Sequence, residues 1–263
     1  MTENSHLITK VGHAGWEDHR HFGYSLFEEL AGNVSSTGLI VLAATGETRD
    51  EDQCQMLDDV AAVLTVADPR IYPLKLVRLA TAYGDPLAGL SVAIAAMQGA
   101  IVGPQIAQDA AFFLCEVADE LGDESLESSS LPRIISDHFQ LRGRVSGFGV
   151  PFRQVDERAK ALATRVSSRG RADGRYWKLQ SAISEIVLKS MNLACNVGLP
   201  VAGLSLDMGF RPEHLSALYT GLTINVFLAN AVEGAAQAPA VLRRLPETSV
   251  EYTGKPGRKY MKQ

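Results

Sequence analysis

The chain has 263 residues, 46% hydrophobic and 21% charged, with a formal net charge of -5, enough to bury a sizeable core as one large domain or two lobes. The acidic balance argues against a nucleic-acid footprint, which needs a dominant basic face. Cys54, Cys115 and Cys195 are odd in number and widely spaced, so neither a disulfide framework nor a Cys-x-x-Cys metal site is indicated, and buried thiols in a reducing cytoplasm are expected. The opening residues Met1 to His6 carry no basic and apolar signal pattern, and no stretch approaches about 18 uninterrupted apolar residues, so neither export nor membrane insertion is expected.

Residues 7 to 23 hold Trp16, Glu17, Asp18, His19 and His21. His19 and His21 beside two carboxylates could supply at most two metal ligands, and a solvated polar segment is the plainer reading. Tyr24 begins an amphipathic stretch through Leu26, Phe27 and Leu30. Helical patterns follow at Asn33 to Ala44, Asp50 to Val66, Ile71 to Tyr83 and Leu87 to Met97, punctuated by Gly46, Asp68-Pro69, Gly84-Asp85-Pro86 and Gly99. Leu87 to Met97 is apolar nearly all round, which predicts an interior helix. Pro104 to Leu121 is a further helix stopped at Gly122, and the acidic, serine-rich 123–130 is expected as a surface loop before Leu131 to Leu141. Beyond it come Arg158 to Val166, Ala172 to Met191, Leu199 to Met208 and a long apolar run from Pro212 to Val232, expected as one central helix. No convincing strand alternation and no fixed-period repeat is present, so the class is all-α.

One stretch stands apart. Gly147-Phe148-Gly149-Val150-Pro151-Phe152-Arg153-Gln154-Val155-Asp156-Glu157-Arg158-Ala159 places two glycines and a proline in five residues, then opens a helix with acidic first-turn residues. A rigid loop feeding a helix start can bring backbone N–H groups to a ligand, while Arg153 and Arg158 offer charge to phosphate or carboxylate. An ordinary glycine-proline connection is the bland alternative.

This stretch resembles a segment of the citrate synthase and citryl-CoA lyase family that reads Gly-Phe or Tyr-Gly-His-Pro or Ala, a few residues, then Asp-Pro-Arg-Ala. Three more blocks agree in order and spacing: Phe22-Gly23-Tyr24 with Gly46-Glu47, the run from Gln98 to Gln105, and Asn196-Val197-Gly198 with Asp207-Met208-Gly209-Phe210. The resemblance covers essentially the whole chain and implies an all-α, two-lobed fold. It divides the chain into a large lobe of residues 1–103 and 212–263 and a small lobe of 104–211. It also implies a CoA thioester as ligand, with Gly147, Phe148, Gly149 and Arg153 on the cofactor and Arg158 and Arg244 on substrate carboxylates. A homodimer or other homo-oligomer, or a paralogue as partner, goes with it.

The family's two histidines and its aspartate fall on Val102, Val150 and Gly198. Valine and glycine side chains relay no proton, and each such role is worth roughly 100-fold to 10,000-fold in rate. A further substrate arginine is expected near Tyr219 or Thr220, yet no arginine occurs between Arg211 and Arg243. The sequence therefore implies a CoA-thioester-binding relative that works as a carbon–carbon lyase or Claisen-type synthase on other residues. The alternative is an inactive ligand-binding or partner subunit. Arg165, Arg169, Arg171 and Arg175 offer phosphate contacts against a plainer reading as a solvated basic loop; His138 and His214 are weighed as replacement acids or bases against structural roles.

Overall fold

The computed structural model describes residues 7–82, 84–97, 103–150, 155–237, 246–249 and 251–257. Val102, Arg153 and Arg244 lie outside them. The described residues form eleven α-helices: α1 Ser36–Thr45, α2 Glu51–Leu64, α3 Tyr72–Thr81, α4 Pro86–Ala96, α5 Gln105–Leu121, α6 Ser130–Arg142, α7 Glu157–Ser168, α8 Arg175–Met191, α9 Gly198–Asp207, α10 Leu215–Leu222 and α11 Ile224–Ala236. The all-α class holds.

Local chemistry sets these boundaries. Ser35 caps α1 by accepting from the Gly38 N–H (3.1 Å), and Gly46 ends it in the left-handed region. Asp50 caps α2 through the Gln53 N–H (2.7 Å), with Glu51 and Asp52 in the first turn and Cys54, Met56, Leu57 and Val60 turned inward. Asp85 accepts from the Leu87 N–H (2.8 Å) and Pro86 opens α4.

Three expectations are corrected. The segment read as a solvated polar stretch contains a small antiparallel meander, β1 Gly12–Ala14, β2 His19–His21 and β3 Tyr24–Ser25. Phe22 and Gly23, both at positive φ (46° and 88°), make the two-residue turn that pairs His21 with Tyr24; strands of two or three residues leave no readable alternation. Secondly, α4 is not interior. Gly89 and Ala93 are its buried residues, and a Cβ on Gly89 would meet Val77 at 3.0 Å and Ala231 at 3.1 Å, so its small face sits tightly on α3 and α11. Leu87 and Ile94 point outward at 67% and 43% exposure. Thirdly, the run from Pro212 is broken at Thr223 between α10 and α11. Thr223 departs from helical geometry at φ -104°, ψ 6°, while its N–H (3.2 Å) and its hydroxyl (2.7 Å) both bond to Tyr219 O.

Two hydrophobic clusters result. The main core joins α1, α2 and α5 to α10, with Phe113, Leu131, Ile135, Leu162, Ile183, Leu199 and Tyr219 sealed inside it. A smaller one lies between α3, α4 and α11, built on Leu74, Val77, Ala93, Val226, Phe227 and Ala231. Among the described residues, 212–236 taken together across the break is the one stretch long and apolar enough to cross a membrane, and half of its apolar window is buried in the fold.

Candidate functional site

Two segments remote in sequence are zipped together at the start of α9. Gly147 and Gly149 sit at φ 95° and 86°, a region that glycine enters without a Cβ penalty. This lets residues 147–149 run antiparallel to 194–196: the Gly149 N–H donates to Ala194 O (2.8 Å), and the Asn196 N–H to Gly147 O (2.8 Å). Phe148 and Cys195 form the bridge between them. The Gly149 N–H is thus spent inside the protein rather than offered to a ligand. Phe148 is buried, edge-on to Phe139 (5.3 Å) and Phe113 (6.4 Å), so its ring anchors the loop.

Two side chains brace this pairing. Asn196 donates from Nδ2 to Gly149 O (3.2 Å) and accepts from the Gly198 N–H at Oδ1 (2.9 Å). Asp156, 3% exposed, caps α7 and reaches back to accept the Val197 N–H (2.9 Å). It also takes the Arg158 N–H (3.1 Å) and a fork from Arg158 Nε (2.9 Å) and Nη2 (2.8 Å). Burial opposes the charge on Asp156, but the Arg158 guanidinium and the Val197 N–H outweigh it and hold the carboxyl below the ordinary aspartate range. Arg158 is therefore partly committed to Asp156, with one edge of its fork engaged.

Gly198 opens α9, and its missing side chain is filled space. A Cβ built there would meet Ile106 Cγ2 at 2.6 Å and Asn196 Oδ1 at 2.9 Å. Ile106 lies in the first turn of α5. Its helical neighbours bring the polar groups nearest in sequence: Gln105 Nε2 donates to Asp109 Oδ1 (2.8 Å), and Ser146, just before the loop, lies 3.4 Å from Asp109 Oδ2.

The structure thus brings together Gly147, Phe148, Gly149, Val150, Asp156, Arg158 and Gly198. Sequence reading gave no role to Ile106 or Asp109 and named Asn196 only as part of a matching block, not as a brace. An Asx-type signal before a helix start was available for Asn196, whereas Ile106 meets Gly198 across 92 positions with no local trace. Tyr219 is sealed in the core, its hydroxyl 2.7 Å from Ser205 Oγ, and burial pushes it well above the usual tyrosine range. The Thr220 hydroxyl is spent on Ser216 O (2.7 Å), so neither offers a cation for a carboxylate.

The remaining candidates have structural partners. Arg165 and Arg169 both bind Asp59, tying α7 to α2; the Arg169 hydrogen bond lowers the Asp59 carboxyl. Arg175 reaches Ala118 O (3.4 Å). His138 is buried against Glu120 (2.9 Å) and Phe113, and His214 contacts Arg211 (2.9 Å). Among the described residues no group of three His, Cys, Asp or Glu is placed to hold a metal.

This helical arrangement, with a glycine loop clasped against the start of α9, is the fold of citrate synthases and citryl-CoA lyases. The citryl-CoA lyase of Hydrogenobacter thermophilus superposes with a TM-score of 0.81 over 97% of both chains, at 20% identity. The ATP citrate lyase of Methanothrix soehngenii, solved with citrate and coenzyme A, gives 0.74 at 18% identity over 97% of this chain and 43% of that one. The citrate synthase of Thermotoga maritima gives 0.63 at 19% identity over 84% of this chain and 58% of that one. No protein-family model matches the sequence. The expected resemblance thus holds at the level of the fold.

Proposed function

We propose that this protein binds a CoA thioester beside the 147–158 loop and does not run the family's acid–base chemistry with the family's residues. The observation that carries this reading is the pairing of two braced ends of the loop, 147–149 and 156–158, with a filled reaction position. The scaffold of Gly147, Phe148, Gly149, Asp156 and Arg158 is built and braced, while Ile106 occupies the space a side chain at 198 would need. Position 150 carries valine, which holds no proton. Relatives of the same fold bind citrate and coenzyme A, and Arg153 and Arg244 complete the proposed contacts to the cofactor and to substrate carboxylate.

Calorimetry with CoA, acetyl-CoA and longer acyl-CoAs tests this directly. Saturable binding is expected, weakened at least about tenfold by Arg153→Ala through loss of a charged hydrogen-bond donor to the cofactor. No binding by any of the three ligands would end the reading. A second reading, a lyase acting through other residues, draws on Asp109 beside Ser146 and the loop. Turnover of citryl-CoA or malyl-CoA that Asp109→Asn abolishes would favour it.

The reading includes a homodimer through the outer face of α4 and α11, where Leu87, Ile94, Leu228 and Val232 are 67%, 43%, 47% and 54% exposed, an apolar surface of the kind that marks an interface. Val232→Glu should then shift sedimentation from dimer to monomer; a monomeric parent protein would remove this part. The division at about 103/104 and 211/212 into two lobes also belongs to the proposal, and limited proteolysis with first cuts inside 104–211 would count against it. A reducing cytoplasm is proposed for the three free thiols.

A further inference from the structure

At the end of α5 away from the loop, a half-open cavity of about 340 Å³ lies between the last turn of α5, the segment after it and the first turns of α8. It shares no residue with the candidate site. An α-helix rises about 1.5 Å per residue, so the length of α5 between Ile106 and the lining residues Ala118 and Leu121 sets the two apart by roughly 20 Å. The size falls in the range of small-molecule sites, which combine an apolar floor with a few converging polar groups.

Leu121, Leu126 and Leu179 supply the apolar lining, and four charged side chains surround it. Lys178 and Asp173 answer each other at 3.0 Å. That leaves Arg175 and Glu124 as the remaining cation and anion of the lining. Arg175 gives the fold one long bond, Nη2 to Ala118 O at 3.4 Å, and stacks at 5.9 Å from the Tyr176 ring, which leaves most of its five N–H donors unspent among the described residues. Glu124 is held by the Ser128 hydroxyl, which contributes to keeping its carboxyl below the usual range. The α8 start cannot be the anion receptor, because Asp207 already accepts the Tyr176 and Trp177 N–H groups at 2.9 and 2.8 Å.

A lone anion would meet Glu124 and a lone cation would meet Arg175. A ligand that carries both charges on one carbon and an apolar branch matches all three surfaces. We infer that this cavity binds an apolar α-amino acid as its zwitterion, the carboxylate on Arg175, the ammonium on Glu124 and the side chain on the leucine floor.

The test is titration of the full-length protein by calorimetry with L-leucine, 4-methylpentanoate, which lacks the ammonium, and 3-methylbutylamine, which lacks the carboxylate. A ligand of about nine heavy atoms should bind in the micromolar to millimolar range, with both truncated ligands at least about tenfold weaker. Arg175→Gln and Glu124→Gln, on exposed side chains that the core does not need, should each weaken L-leucine by a similar factor and leave CoA binding unchanged. Absence of saturable L-leucine binding at millimolar concentration overturns the inference. So does 4-methylpentanoate binding as tightly as L-leucine, which would make the site a receptor for carboxylates, or binding that neither variant alters.

Discussion

Placing a carboxylate at position 198 should fail for a steric reason before any question of chemistry arises. Gly198 has an ordinary negative φ, so a side chain there meets no backbone strain, and at the first position of α9 an acidic residue would even be favoured by the helix dipole. The obstacle is contact: the new Cβ would stand 2.6 Å from Ile106 Cγ2, short of an ordinary 3.4 Å contact by most of an ångström, and 2.9 Å from Asn196 Oδ1. Cγ2 is fixed one bond from the Ile106 Cβ and cannot swing away as a long side-chain tip would. Overpacking of this kind costs about 1–3 kcal/mol, against less than about 1 kcal/mol recovered from replacing glycine in a helix. Gly198→Ala should therefore lose about 1–2 kcal/mol. Gly198→Asp should lose more, because its carboxylate also crowds the Asn196 oxygen that receives the Gly198 N–H. The assay is urea unfolding of Gly198→Ala, Ile106→Ala and the double variant, comparing midpoints at unchanged slope. Residues in contact couple by 0.5–3 kcal/mol, and here the double variant should be more stable than the two single losses predict by about 1 kcal/mol. A neutral or stabilised Gly198→Ala, or strict additivity of the two changes, would refute the claim that Ile106 fills the space beside position 198.

The two loop glycines should differ. Gly149→Ala meets only the penalty of a left-handed backbone, about 1–2 kcal/mol, since nothing lies nearer than 4.0 Å to its Cβ, whereas Gly147→Ala adds a clash with Leu199 Cβ at 2.9 Å; equal losses in denaturant unfolding would contradict the packing described. Acid sensitivity should trace in part to Asp156. Its carboxyl is depressed in the folded state, so its contribution is present above the unfolded aspartate pKa of about 3.9 and is lost as pH falls through the lower folded value. Asp156→Asn should lower stability at neutral pH by about 1–3 kcal/mol and flatten the decline below about pH 4; an unchanged acid limb would show that the pair with Arg158 contributes nothing.

Helix starts were the most legible part of the sequence because they are local. Asp50, Asp85 and Asp156 each cap the helix that the pattern placed after them. The loop was legible too, since Gly147 and Gly149 announce the positive φ values they adopt. Hidden from the sequence were facts that depend on a second segment. Leu87 to Met97 looked interior because composition records that residues are apolar, not that one face, with Gly89 and Ala93 at its centre, meets α3 and α11 while Leu87 and Ile94 face outward. The break at Thr223 left no mark in an apolar pattern that runs on through it, and nothing at position 198 showed that Ile106 closes off the space beside it. Arg158 read as a free cation because nothing in sequence shows a neighbouring carboxylate turning to meet it.

The break at Thr223 divides more than a helix. It leaves α10 in the main core and gives α11 to the small cluster with α3 and α4, so three helices share a hydrophobic centre that is not continuous with the rest. Such a unit is free to open on its own, at a free energy below that of global unfolding. Its amides should exchange with solvent before those of α5, α8 and α9. Because the proposed dimer face lies on two of these helices, their protection should rise with protein concentration while that of the main core stays constant. Assembly and local folding would then be one equilibrium on this side of the molecule and two separate ones on the other.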